Sequence, residues 1–406
     1  MAFIAICSVI PCISNYREHD RSGLWVPWDY AYNLLMSCRP NAILFTNGDN
    51  DTFPLWFAQQ VAGVRKDVRV VNLSLGNTDW YIKQMLTQEP ILKLSYDKEG
   101  IEKRMAIGDL NERNPEHYTQ TWIAKADRAI PALQSRIANM TDSTGAAKPD
   151  ADTLKLKQYR VMLQVYSAFK EWQAKSHAGP MLTQYKLVLD LAMNNVDRPL
   201  HFSTTVGQSN FMGLEKYMVQ EGMIFNLMQG DTTDRRSVNQ DFDLERTAYL
   251  IDSVYKFRGL GDGTAYIDGE TTRLLSSYTS LYLQIAFQVR ENIVALLQNA
   301  PLTTSKKQQI DALVEKALHF LDKGIAQFPE EWRCYWAASY ILEPVREKKR
   351  ALEYLDKGLK NVSVFDEQGR ARLEINRQSF ESMPDMPLAV VPDSVAVSDS
   401  SALPTK

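Results

Sequence analysis

Two short apolar runs constrain this chain more than any other feature. Residues 42–45 (AILF) and 68–73 (VRVVNL) both stop abruptly in polar residues. The first stops at Thr46-Asn47-Gly48-Asp49-Asn50-Asp51, the second at Asn77-Thr78-Asp79. An amphipathic stretch follows each, at 53–61 and at 79–86. Short apolar runs bounded in this way read as buried strands, and the periodicity behind them as helices. In open α/β sheets ligands lie outside the carboxyl ends of the strands. The pattern therefore proposes a place for a site before it proposes a chemistry.

The rest of the chain extends this rhythm and then abandons it. Residues 27–38 read as a helix with Pro27 in its first turn. Thr52 is a possible N-cap for 53–61, and Asn77 or Thr78 for the helix from 79. Residues 89–180 are polar and charged, with a predicted helical hairpin of 118–140 and 153–175 about the turn at 142–150. A helix at 182–193 and a strand at 200–203 resume the alternation, and 222–228 is a further strand candidate. After residue 230 only helices are expected, at 243–257, 269–299 and 305–328. ALHFLDKGI at 317–325 returns as ALEYLDKGL at 351–359, an offset of 34 residues, which is the tetratricopeptide period. Pro329 closes the first copy, and Trp332, Tyr335 and Ser339 fall near first-helix positions of the next. Two copies are few for a self-standing solenoid, so the repeat is expected to dock on the α/β part or on a partner.

The expected class is α/β: a small, mostly parallel sheet with a helical insertion, followed by an all-α tetratricopeptide-like helical domain. The expected segments are 1–22, an α/β domain at 23–235 with its insertion at about 89–180, a helical domain at 236–376, and a disordered tail at 377–406.

Composition excludes some functions. The chain has 406 residues and a net charge of −3 with no basic stripe, so nucleic acid is not an expected partner. No apolar run reaches the roughly 18–20 residues of a membrane span. Residues 1–13 (MAFIAICSVIPCI) are apolar but short, contain Pro11 and lack a basic start, which makes a poor signal peptide. From the residues alone they read as a buried first strand or helix. Cys7, Cys12, Cys38 and Cys334 match no zinc or redox spacing.

Candidate chemistry gathers at the two polar clusters. Asp49 and Asp51 with Asn47 could hold a divalent cation, since hard cations take oxygen ligands. A D-x-D after a strand resembles the metal and nucleotide-sugar site of GT-A enzymes. The competing reading is an Asx-type turn that caps the next helix. Trp56, Trp80 and Tyr81 offer flat faces near Asp79, a combination suited to a sugar or peptide; the same rings could equally fill the core. Thr205, with Ser203, Thr204 and Gly207, could complete the crevice. No HExxH or G-x-S-x-G is present, the histidines are scattered, and His201 reads as a packed core residue.

Residues 41–54, 67–84 and 198–222 (RPLHFSTTVGQSNFMGLEKYMVQEG) together resemble one family. It is the soluble segment that follows the membrane helices in bacterial proteins related to protein O-mannosyltransferases, which are multi-pass glycosyltransferases of the GT-C type. The resemblance implies an extracytoplasmic, periplasmic location and a membrane-embedded glycosyltransferase half as partner, with residues 1–22 as the end of a membrane helix and Arg17, His19, Asp20 and Arg21 marking the exit into water. It also implies an acceptor protein or glycan as ligand. The acidic residues that catalyse transfer in that class lie on loops between membrane helices and have no counterpart here. Two further readings stay open. One is a soluble metal-dependent enzyme acting on a sugar or phosphate through Asp49, Asp51 and Asp79. The other is an interaction scaffold built on the repeats.

Overall fold

The structure, a computed structural model, describes residues 9–11, 13–16, 20, 23–101, 115–149, 151–176, 182–265, 267, 269–298, 301–384 and 388–393. The expectations for the apolar N-terminal run fall largely outside these residues. Among the described residues no helix is long and apolar enough to cross a membrane. The chain divides into two compact units, residues 30–255 and residues 1–29 with 256–406.

The 30–255 unit is built on a five-stranded mixed sheet. Its strands are β1 (Ile43–Thr46), β2 (Arg69–Asn72), β3 (Leu200–Ser203), β4 (Met218–Glu221) and β5 (Ile224–Leu227), in the order β2-β1-β3-β5-β4. The β2-β1-β3 core is parallel, and β5 and β4 complete the sheet antiparallel. Every residue of β1, β2 and β3 is buried, as continuous apolar runs demand of a sheet covered on both faces. Phe45 on β1 and Phe202 on β3 meet as tilted rings with centroids 4.8 Å apart.

Helices α1 (Val26–Ser37), α2 (Asp49–Gln60) and α3 (Asp79–Met85) lie near their expected places. The hairpin that interrupts the rhythm is α4 (Pro115–Met140) with α5 (Thr153–Ser176), turned by Asp142, whose Oδ1 accepts from the amides of Thr144 and Ala146. Helix α6 (Thr183–Asn194) is almost wholly buried, and α7 (Leu244–Tyr249) closes the series. Strand β4 follows no expectation from the sequence. Its turn into β5 needs Gly222, whose φ is 61° and whose absent Cβ would lie 2.2 Å from Tyr255 Oη.

The second unit is helical: α8 (Gly269–Gln298), α9 (Thr304–Gln327), α10 (Trp332–Leu342), α11 (Lys348–Asn361) and α12 (Glu367–Ser382). The two LDKG copies sit on α9 and α11 in equivalent packing. A Cβ on Gly324 would meet Tyr282 of α8 at 2.9 Å and Cys334 of α10 at 3.0 Å. A Cβ on Gly358 would meet Tyr335 of α10 and Leu373 of α12, both at 2.9 Å. Each glycine thus lets its helix close on the helix before and the helix after. Helix α12 runs into the segment expected as tail, and its last turn is anchored by buried Phe380. Residues 388–393 return to the start of α9, where Asp393 accepts from the Ser305 amide and hydroxyl. Residues 385–387 and 394–406 of the expected tail lie outside the described residues.

Candidate functional site

At the carboxyl end of the sheet the aspartates do structural work. Asp49, Asn50 and Asp51 are not on a loop, because α2 begins at Asp49 and its N-cap is Gly48 rather than Thr52. Asp51 is the third helical residue and its carboxylate reaches back. Oδ1 accepts from Gly48 N at 3.0 Å, and Oδ2 from Asn47 N at 3.2 Å and Thr205 Oγ1 at 2.5 Å. Helix starts leave backbone donors without intrahelical partners, and an acidic third residue supplies one. Thr52 is buried beneath, donating to the Gly48 carbonyl at 2.5 Å. Asn72, at the end of β2, donates to that same carbonyl at 3.0 Å. Burial, and after it the Asp51 carboxylate, raises the pKa of the nearby Tyr30 phenol.

The structure therefore joins Asn47, Asp51 and Thr205 and sets the other two acids apart. Asp49 is exposed and accepts from the Asn50 amide at 2.9 Å. Asp79 opens α3 and pairs with Lys83 at 3.1 Å, which lowers its pKa. Thr78 holds the N-cap position of α3 without a side-chain bond to the helix, while Asn77 exchanges bonds with Gln184. Among the described residues no group of three or more His, Cys, Asp or Glu could hold a metal ion.

The three aromatic candidates lie elsewhere. Trp56, Trp80 and Tyr81 line a groove of about 860 Å³ along the outer edge of β2. Phe53 and Trp56 stack at 5.5 Å, Trp56 lies 6.4 Å from Tyr81, and Tyr81 meets Trp80 edge-on at 5.7 Å. Tyr81 is core-like, with its hydroxyl accepting from the Asn72 amide at 2.8 Å. Phe53 and Trp80 are 52 % and 50 % exposed, so two large rings face water at the groove's rim. Surface rings of this size, gathered beside a cavity, mark binding surfaces more than core.

Sequence reasoning did not find the groove's polar floor. Gln59, Gln84 and Arg69 line it with the rings. Arg69 is 9 % exposed, with Nη1 donating to the carbonyls of Gln88 at 3.0 Å and Glu89 at 3.3 Å. Its Nε is buried without a partner, and no carboxylate pairs with it among the described residues. Burial lowers its pKa. The one available signal was a lone charge inside an apolar strand, VRVVNL.

Fold and site together define an α/β domain with an aromatic surface groove, followed in the chain by an all-helical region. Residues 27–245, more than half the chain, match the model of TMEM260-associated domain 2. The chain belongs to that family, a domain tied to TMEM260, an O-mannosyltransferase-like protein. No curated protein and no solved structure matches it.

Proposed function

We propose that this chain is the acceptor-recognition part of a GT-C membrane glycosyltransferase related to protein O-mannosyltransferases. It works outside the cytoplasm, against a membrane-embedded half that carries out the transfer. The acceptor is a protein or a glycan, and the contact is made in the β2-edge groove. The observation that carries this reading is the groove itself: exposed Phe53 and Trp80, half-buried Trp56, and an Arg69 guanidinium that no carboxylate pairs with among the described residues. Family membership supports a glycosyltransferase association. Acid–base turnover needs titratable groups poised at a reacting atom, whereas the one buried carboxylate of the aspartate cluster is committed to capping α2.

The test uses purified chain, a polyprenyl-phosphate hexose donor and membranes of the source organism. The chain alone gives no transfer. Added in excess, it lowers transfer to acceptor by competing for it, and Trp80→Ala loses that effect. Transfer by the purified chain that disappears in Asp49→Asn would establish the metal-dependent enzyme instead.

A second reading has its own observation. The equivalent closure at Gly324 and Gly358 is what a tetratricopeptide-type scaffold requires. Phe287 of α8 and Trp336 and Tyr340 of α10 cluster on adjoining helices, with Arg290 lying 3.8 Å over Tyr340. On this reading the repeats hold the membrane half or another protein while the α/β unit meets the acceptor.

A further inference from the structure

The β2 edge leaves both a backbone pair and a charge unanswered. In the parallel register, Arg69 and Leu73 donate to Ala42 and Thr46, and so Arg69, Val71 and Leu73 face β1. Val68, Val70 and Asn72 therefore face outward. The Val68 carbonyl accepts from Gln59 Nε2 at 2.8 Å, and the Asn72 amide donates to Tyr81 Oη at 2.8 Å. Val70, between them and lining the groove, has no partner on either its N–H or its C=O among the described residues. The other edge strand, β4, is closed by the chain itself. Gln220 donates to the Asp241 carbonyl at 2.7 Å and accepts from the Asp243 amide at 2.9 Å.

Arg69 is the second, independent observation. A guanidinium taken out of water ordinarily finds a carboxylate, because charge-assisted bonds offset its desolvation. Here the partners are two neutral carbonyls, and Nη2 has none among the described residues. Lys66 adds a second positive group to the lining. Glu89, the one acid in the lining, accepts from the Ile91 amide at 3.3 Å.

We propose that the groove takes an extended peptide segment carrying an acidic side chain. Its main chain pairs with Val70 as an added strand, its carboxylate meets Arg69 Nη2, and an apolar neighbour lies against Trp56 and Trp80. Strand addition gives affinity through main-chain bonds and specificity through alternate side chains. A neutral sugar can hydrogen-bond these groups but brings no charge to the guanidinium and no repeating main-chain pair to the strand edge. This deepens the acceptor reading, resting on it for the peptide's identity as acceptor but not for binding itself.

The test titrates the whole chain with acetyl-Val-Thr-Glu-Thr-Val-amide, followed by calorimetry and by the Trp80 indole resonance. Replacing the peptide's Glu by Gln weakens binding roughly tenfold, the scale of a charge-assisted bond. N-methylation at one of two successive central amides weakens it comparably. Arg69→Gln removes the preference for Glu over Gln; should that variant fail to fold, the peptide arms on the native chain decide. Equal affinity for the two peptides overturns the proposal. So does a methyl hexoside that shifts the Trp80 resonance when neither peptide does. A chain that binds the glutamate peptide but fails to compete in the transfer assay upholds this site and overturns the acceptor role.

Discussion

The carboxyl end of the sheet and the outer edge of β2 hold similar residue types and treat them oppositely. At the sheet end, Asp51 is buried and accepts four hydrogen bonds, and its neighbours Thr52, Asn72 and Thr205 are bonded to the same group of atoms. At the β2 edge, Arg69 is also buried yet keeps an unpartnered Nε, and Trp80 lies half in water. A satisfied polar network fixes a fold, whereas an unsatisfied one at a cavity marks where a ligand completes it. The difference between the regions lies in what remains unbonded.

The comparison breaks most visibly at Asp51. Asp51→Ala strips a helix start of its acceptor, leaves the Gly48 and Asn47 amides unanswered, and leaves the Thr205 hydroxyl with Ser203 alone. The expected loss is on the order of 3 kcal/mol in urea unfolding, from capping plus unpaired donors. A loss under about 1 kcal/mol would show that the network is not what holds the loop.

The interior behind that network sharpens the same point by pH. His201 on β3 is fully buried, and burial first, then the positive charges of Arg39, Arg246 and Arg65, pushes its pKa down to about 3. Between that value and the unfolded value near 6.5 the unfolded chain binds the extra proton. Stability from this group is therefore complete above about pH 6.5 and falls as pH drops, by up to about 1.4 kcal/mol per pH unit. From pH 6.5 to 5 the expected cost is about 2 kcal/mol, and His201→Asn flattens that slope. An unchanged slope in the variant would assign the acid sensitivity elsewhere.

Smaller effects are expected at the groove. Trp80→Ala lowers stability by less than about 1 kcal/mol, since half the ring is already in water, yet weakens ligand binding several-fold through the lost ring contact. A large drop in Tm with unchanged binding would place Trp80 in the core. Smallest is Asp49→Asn, an exposed site, with a change within about 0.5 kcal/mol and no change in binding.

How much of this was legible follows from what each segment depends on. Strands β1, β2 and β3 could be read because runs such as AILF are apolar on both faces and need no partner to declare themselves. Strand β4 (MVQE) could not. Its Glu221 is buried only because Arg39 and Arg246 pair with it, and its Gln220 because residues 241–243 bond its edge. The polar cluster after β1 was legible as a cap for the next helix, because Asp51 bonds the Gly48 and Asn47 amides locally, whereas its bond from Thr205 spans 154 positions and exists only in the fold. Trp56, Trp80 and Tyr81 were legible as an aromatic group, but the groove depends on β2 being an edge strand, which the order of strands decides.

The central claim is that recognition belongs to the β2 edge and that the sheet end holds the fold. Competition for acceptor by Trp80→Ala and Asp51→Asn, run side by side well below both melting temperatures, tests it most directly. The account predicts that Trp80→Ala melts near the native chain but loses competition several-fold, while Asp51→Asn melts lower and competes as the native chain does. The reverse pattern, with competition lost at Asp51 and kept at Trp80, would contradict it.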